Sequence, residues 1–354
     1  MEIVPAEAPK KRCTSFDVAR LAGVSRATVS HVLNGRRNAT VPAETQERVQ
    51  VAARTLGYKP NTLARSLRRG RTALVGVHIS VREDNFHDRI LHGIHDECDK
   101  QGYNVVLARF SQRGPAASAG FLRMMDFRVS GVIHVIGTLL PSESARLREN
   151  EEPFGVPTVL VDDSAGSDKC DCVITDDVEG ARAAVRHLIE LGHTRIAHIT
   201  GGTLCSTAPA RLNGYRSMVH EAGIDDDESL VQECEYTQMR LDAAVDRLLG
   251  LPNPPTAIFV ANDKLAVRAI ESARRRGIRI PEDISVIGYG DTEVGEYCDL
   301  STVAQDPEEL GRTAVRLIFE RVADPRREPQ LVMMPTRLIA RGSTRPNSAK
   351  GSRP

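Results

Sequence analysis

From Ala73 onward the chain alternates short apolar runs with longer helical stretches, and this alternation restricts the fold more than any other feature. The runs Ala73–Ile79, Asn104–Ala108, Gly131–Ile136, Thr158–Val161, Ile196–Thr200, Ala257–Ala261 and Ile284–Gly288 have strand length and end near turn residues. The segments between them read as helices. Gly102, Gly192, Gly223 and Gly277 stand where a helix closes in the left-handed conformation before the next strand. Repeated βα units build parallel sheets covered by helices on both faces. About 270 residues of such units are more than one sheet usually holds, so the pattern predicts an α/β core of two doubly wound parallel-sheet lobes, breaking near residues 170–176. Open sheets of this kind bind ligands at the carboxyl ends of their strands, and two facing lobes place those ends around one cleft.

A different pattern precedes the core. Ser15–Ala22 reads as a helix introduced by Thr14, with Asp17 three residues on as a capping-box variant. Gly23 supplies a turn and Ser25 an N-cap for a second helix. In that helix Val29, Val32 and Leu33 form one apolar stripe, while Arg26, Ala27, Ser30 and His31 project from the other side. Two helices around a glycine turn, the second with a small polar and basic outer face, make a helix-turn-helix whose second helix fits a major groove about 12 Å wide. Glu44–Leu56 adds a third helix with Val49, Ala52, Ala53 and Leu56 inward. After Pro60, with Asn61 as N-cap, comes a helix of about seven residues, too short to be stable alone in water and therefore expected to fold on binding.

The formal net charge of zero conceals a division. Residues 1–71 hold 14 Lys and Arg against 5 Asp and Glu, and the remainder holds 33 against 42. A basic module of this size suits a polyanion, and an acidic body limits indiscriminate adhesion to it. No apolar run approaches the roughly 18 residues needed to span a bilayer, and residues 1–12 carry prolines and charges where a signal peptide needs an apolar stretch. Seven scattered cysteines suggest no disulfide framework, and the expected location is the cytoplasm.

The stretches DVARLAGVSRATVSHVLNG and LGYKPNTLARSLRRG, followed in order by RLNGY and VIGYGDT, resemble the lactose-repressor (LacI/GalR) family of bacterial transcription regulators across nearly the whole chain. The resemblance implies a small all-α headpiece at 13–58, a hinge helix and linker at 59–71, and a periplasmic-binding-protein-like core at 72–344. A disordered tail at 1–12 and a polar tail at 345–354 are expected to flank these. It also implies three crossings between the lobes, with lobe 1 near 72–173 and 305–325 and lobe 2 near 174–304 and 326–344.

The function so implied is a homodimeric repressor that binds a near-palindromic operator under control of a small-molecule effector. Arg26, Ala27 and His31 are the expected base readers, since arginine pairs with guanine and alanine meets a thymine methyl. Ser25, Thr28 and Ser30 are expected at phosphates or as caps, Asn34 is a further expected DNA contact, and Asn61, Ala64, Arg65 and Leu67 are expected to contact DNA from the hinge. Leu67 resembles the family's leucine wedge in the minor groove, a device that kinks the duplex. For the effector the candidates are Asp84, Phe86, His87, Asp162, Arg211, Asn262, Asp263 and Asp291. Gly290 stands where sugar-binding relatives commonly carry an aspartate. The expected effector is a small polar metabolite, a sugar or sugar derivative first and a carboxylate or nucleobase-like compound second.

No cofactor, metal or membrane partner is expected. Asp88, His92, His95, Asp96 and Asp99 share a helical face but read as a solvated surface, Cys170 and Cys172 lack a second pair for zinc, and Gly288-Tyr289-Gly290 lacks a dinucleotide fingerprint. No hydrolase or phosphate-loop motif supports an enzyme. The rival reading is a transport-type solute-binding protein, which would lack residues 1–70 and carry a signal sequence.

Overall fold

The computed structural model describes residues 13–34, 41–58, 72–80, 85–110, 115–135, 155–164, 167–201, 207–224, 226–234 and 238–347. The chain divides into two units, 1–71 and 72–354.

In the first unit α1 (Ser15–Ala22), α2 (Arg26–Asn34) and α3 (Ala43–Thr55) enclose a small core of Val18, Ala19, Ala22, Val29, Val49, Ala52 and Ala53. Thr14 and Asp17 form the capping box, and Gly23 ends α1 in the left-handed conformation at φ 64°. A β-carbon is disfavoured in that conformation, so glycine makes the tight turn between the first two helices. The Ser25 hydroxyl accepts from the Thr28 amide at 3.1 Å and starts α2.

The second unit holds two parallel sheets. Its strands are β1 (Leu74–Ser80), β2 (Asn104–Phe110), β3 (Gly131–Val135), β4 (Thr158–Val161), β5 (Asp171–Thr175), β6 (Ile196–Thr200), β7 (Val231–Glu233), β8 (Ala257–Val260), β9 (Ser285–Ile287), β10 (Thr302–Ala304), β11 (Leu331–Met334) and β12 (Arg337–Ile339). Among the described residues the first sheet has the order β11-β5-β4-β3-β1-β2 and the second β7-β6-β8-β9, both parallel throughout, while β10 and β12 form an antiparallel pair. The helices are α4 (Asn85–Lys100), α5 (Pro115–Met125), α6 (Asp177–Glu190), α7 (Ala208–Glu221), α8 (Gln238–Leu249), α9 (Asp263–Arg275), α10 (Glu293–Tyr297) and α11 (Pro307–Ala323).

The chain passes between the sheets at 175–177, 304–307 and 334–337. The first two passages match the sequence reading, but the third falls after β11 and not near 325, because Leu331–Met334 pair with β5 in the first sheet. A buried carboxylate fixes that return. Asp171 accepts from Arg321 at 3.0 and 3.1 Å, from Arg327 at 2.7 Å and from the Gln330 amide at 2.9 Å, tying the end of α11 and the start of β11 to β5. Helix α11 reaches lobe 1 because Gly93 of α4 and Gly311 of α11 let the two backbones touch; a β-carbon at either would overlap a carbonyl of the other helix. The passages are also bonded together, with Gln305 Nε2 donating to Thr175 Oγ1 at 3.0 Å and the Asp176 amide to the Met334 carbonyl at 2.9 Å.

Residues 345–347, expected in a polar tail, are bonded to the core. Arg345 donates its amide to Ser285, His193 Nε2 lies 3.1 Å from the Arg345 carbonyl, and the Asn347 amide donates to the Leu191 carbonyl at 2.8 Å.

Candidate functional site

On the headpiece, burial of Val29 turns α2 so that Ser25, Arg26, Ala27 and Ser30 are exposed, with Thr28 and His31 half-buried. The amphipathic pattern thus has its apolar side in the core and its polar side outward. Ser25 and Thr28 have a local task as well, their hydroxyls lying 3.0 Å apart at the helix start. Of Asn34 only the backbone is described; Asn61, Ala64, Arg65 and Leu67 lie outside the described residues, as does Asp84.

In the core, the two sheets present Asp162 from the end of β4 and Arg211 from the first turn of α7. Asp162 is buried and holds a left-handed backbone at φ 62°, a conformation uncommon outside glycine and enriched in Asp. Arg211 is held on three sides. Its Nε donates to Asp177 Oδ1 at 2.8 Å, one terminal nitrogen donates to the Ala261 carbonyl at 2.6 Å, and its guanidinium carbon lies 3.8 Å from the centre of the Tyr289 ring. A planar guanidinium accommodates both fork-like hydrogen bonding and stacking on a ring face.

Tyr289 is itself buried, and it fits only because residue 180 is glycine: a β-carbon there would overlap the tyrosine hydroxyl. Burial pushes that hydroxyl well above its ordinary pKa, Asp177 adds to the push, Arg211 opposes it, and Asp162 in the other lobe contributes in the same direction as Asp177.

The other nominated acids have different occupations. Asp263 is fully buried, with Oδ2 accepting from the Thr292 amide at 2.7 Å and its hydroxyl at 3.0 Å, and Oδ1 from Thr302 at 2.6 Å. Burial raises its pKa, and these donors offset only part of the rise. With no exposed surface, it organises the loop that follows β9. Asp291, at φ 52°, accepts from Arg341 at 2.7 Å, so it too is engaged within its own lobe. The Asn262 side-chain oxygen accepts from the Leu265 amide at 2.9 Å as the N-cap of α9. Phe86 and His87 open α4, their rings 5.6 Å apart edge to face, with His87 buried and Phe86 packed on the lobe 1 core.

A groove of about 520 Å³ between the lobes is lined by Asn85, Phe86, Asp88, Arg89, His92 and Glu308 on one side and by residues 290–293 and Glu296 on the other. Sequence reasoning missed Tyr289 and Asp177, for which the only signal was a tyrosine between two glycines at a strand end. Among the described residues no cluster of His, Cys, Asp or Glu could hold a metal ion, and no helix is long and apolar enough to cross a membrane.

A basic-faced three-helix head joined to a two-lobed α/β core with a buried arginine at the carboxyl ends of its strands defines a DNA-binding regulator controlled through its core. Comparison with known proteins agrees. Residues 16–61 match the family of bacterial regulatory proteins of the lacI family, and residues 185–344 match the periplasmic binding protein-like domain. The chain is 33% identical over 333 residues to the HTH-type transcriptional repressor PurR of Aliivibrio salmonicida, covering 93% of this chain and 98% of that one. It is 34% identical over 335 residues to the repressor of the same name in Aliivibrio fischeri strain MJ11, with 93% and 98% covered.

Among solved structures it is similar to the Lac repressor dimer bound to operator and the anti-inducer ONPF, with a TM-score of 0.84, 30% identity, and 95% of this chain and 100% of that chain covered. It is also similar to the complex of the transcriptional regulator CelR with cellobiose, with a TM-score of 0.70, 31% identity, and 94% and 100% covered. The chain belongs to the lacI family of bacterial regulatory proteins. It is a DNA-binding transcriptional repressor and not an enzyme.

Proposed function

We propose that the protein works in the cytoplasm as a homodimer on a near-palindromic operator, and that a small polar effector bound between the lobes sets its operator affinity. Arg26, Ala27 and His31 read base edges, Ser25, Thr28, Ser30 and Asn34 support the phosphate contacts, and the hinge residues Asn61, Ala64, Arg65 and Leu67 enter the minor groove. The effector meets Arg211 and Tyr289 from lobe 2 and Asp162 from lobe 1, with Phe86 and His87 at the lobe 1 rim and Asp84 as a further candidate contact. The observation that carries this reading is the seating of Arg211, held by Asp177, Ala261 and Tyr289 at the strand ends of lobe 2.

An effector that contacts both lobes binds their closed and open arrangements unequally, and a differential affinity is what shifts a population and hence operator binding. Calorimetry against a metabolite panel, paired with gel shifts on an operator selected from random DNA, tests the proposal. The expected result is a compound that alters operator affinity in the wild type and does so at least tenfold less effectively in Arg211→Gln. A compound bound equally by both proteins places the effector elsewhere.

A further inference from the structure

Beyond β12 the chain runs along β9 and passes over two histidines. The Val286 amide donates to the Ser343 carbonyl at 2.8 Å, and the Asn347 amide reaches the Leu191 carbonyl at 2.8 Å. Between these points His187 Nε2 lies 3.0 Å from Thr344 Oγ1, which is 2.8 Å from Ser301 Oγ. His193 is buried against Arg345, with Nε2 3.1 Å from both the Arg345 carbonyl and Ser285 Oγ, and Nδ1 2.9 Å from Thr256 Oγ1. These contacts sit at the starts of β8 and β9, the opposite end of the sheet from Arg211 and Tyr289.

The neutral ring suits this place and the cation does not. With Nε2–H donating to the Arg345 carbonyl, Nδ1 is left to accept from the Thr256 hydroxyl. A second proton, on Nδ1, would turn that hydroxyl toward the Arg195 carbonyl, at the longer distance of 3.4 Å. The charges nearby do not compensate an imidazolium. Arg345 adds a cation, and Asp283, which also feels Arg345, is bonded to Arg279 at 2.5 Å. Arg195 is paired with Asp227 at 2.9 Å, and Glu190 acts on His187. Burial lowers the pKa of both histidines from 6.5. At His193 the Arg345 carbonyl opposes the fall while His187 and the Arg345 guanidinium deepen it, and at His187 Glu190 opposes it.

We propose that residues 343–347 form a strap held by His187 and His193 in their neutral forms, and that mild acid releases it from lobe 2. A ring hydrated by opening titrates at its ordinary 6.5, while the closed ring resists the proton. The closed strap is therefore fully favoured above pH 6.5 and loses that advantage as pH falls below it, by up to about tenfold per pH unit for each histidine. The strap continues from β12, whose partner β10 precedes the second passage between the lobes, so its release loosens the anchor of the third passage.

Amide exchange read by mass spectrometry on the full chain at pH 7.5 and 5.5, corrected for the intrinsic rate at each pH, tests this. Protection at 343–347 is expected to fall at least about threefold more than protection in β8, which reports opening of the lobe core. In His187→Gln/His193→Gln the two regions should change in step. Strap protection that merely follows β8 in the wild type overturns the proposal, and so does a full pH response in the double variant. If that variant does not fold, proton NMR of the wild-type histidines decides. His193 titrating at or above 6.5 overturns the strap, and titration below 6.5 together with the selective loss of protection supports it.

Discussion

Asp263 and Gly288 share one space: a β-carbon on residue 288 would overlap the Asp263 carboxylate. The glycine at the end of β9 is what allows the acid to lie under the loop and gather Thr292 and Thr302. Gly288→Ala should therefore lower stability by about 1–3 kcal/mol, as overpacking of a dense core does. Thr302→Val should cost about 1–3 kcal/mol by leaving a buried acceptor short of a donor. Urea denaturation of both variants checks this, and wild-type midpoints would remove Asp263 from its organising role.

Asp171 gives a second stability test. It is fully buried and neutralises two arginines that are 14% and 13% exposed. Asp171→Ala strands both guanidiniums, and loss of one partner from a buried ion pair costs about 3–5 kcal/mol. The loss should first be seen where β11 joins the sheet, as faster amide exchange at 331–334. Uniform exchange rates across lobe 1 would contradict that order.

Stability should also fall in mild acid. His198 is enclosed between the rings of Tyr215 and Phe259, at 5.2 and 4.6 Å, with Nδ1 3.0 Å from the Phe259 carbonyl. Burial pushes its pKa from 6.5 down to about 4, and it lowers His193 and His187 as well. The folded state resists protons that the unfolded chain accepts, so the contribution is complete above pH 6.5 and is lost as pH falls toward 4. For His198 the full loss is about 3 kcal/mol. Asp227 and Asp283, both held near 2 by hydrogen bonds from arginines, act with the same sign but below pH 4. Denaturation at pH 7.5 and 5.0 thus reads the histidines apart from Asp227 and Asp283. The wild type should weaken between the two, and His198→Phe should weaken less.

For the head, Arg26→Ala and His31→Ala should change which operator bases matter, at about 1–3 kcal/mol for a lost bidentate base contact. Binding selections from random DNA read this directly. Equal losses on every sequence would make both residues phosphate contacts.

In the hinge, Leu67→Ala should weaken operator binding by at least ~1 kcal/mol, since an inserted apolar wedge stabilises a kink of a few kcal/mol. Fold and dimerisation should be unchanged by circular dichroism and sedimentation. Unaltered operator affinity would sink the wedge.

The sequence by itself determined what rests on near neighbours. Helix α1 has the predicted bounds, its capping box joins residues three apart, and α3 differs from the reading by one residue at each end. The apolar periods placed most strands of both sheets, because alternation and capping are properties of a few consecutive residues. The tertiary structure decided which polar groups are engaged within the protein.

Asp263 and Asp291 looked alike as acids after strands. One is saturated by threonines 29 and 39 residues away, and the other by an arginine 50 residues away. The third passage between the lobes depended in the same way on Asp171 meeting Arg321 at a separation of 150 residues. A carboxylate's availability depends on which donors the packed chain brings within 3 Å, and no local pattern encodes such a contact. Helices and strands were legible because their hydrogen bonds and apolar stripes follow short periods, whereas the charge state and reach of the site arose only when distant side chains were enclosed together.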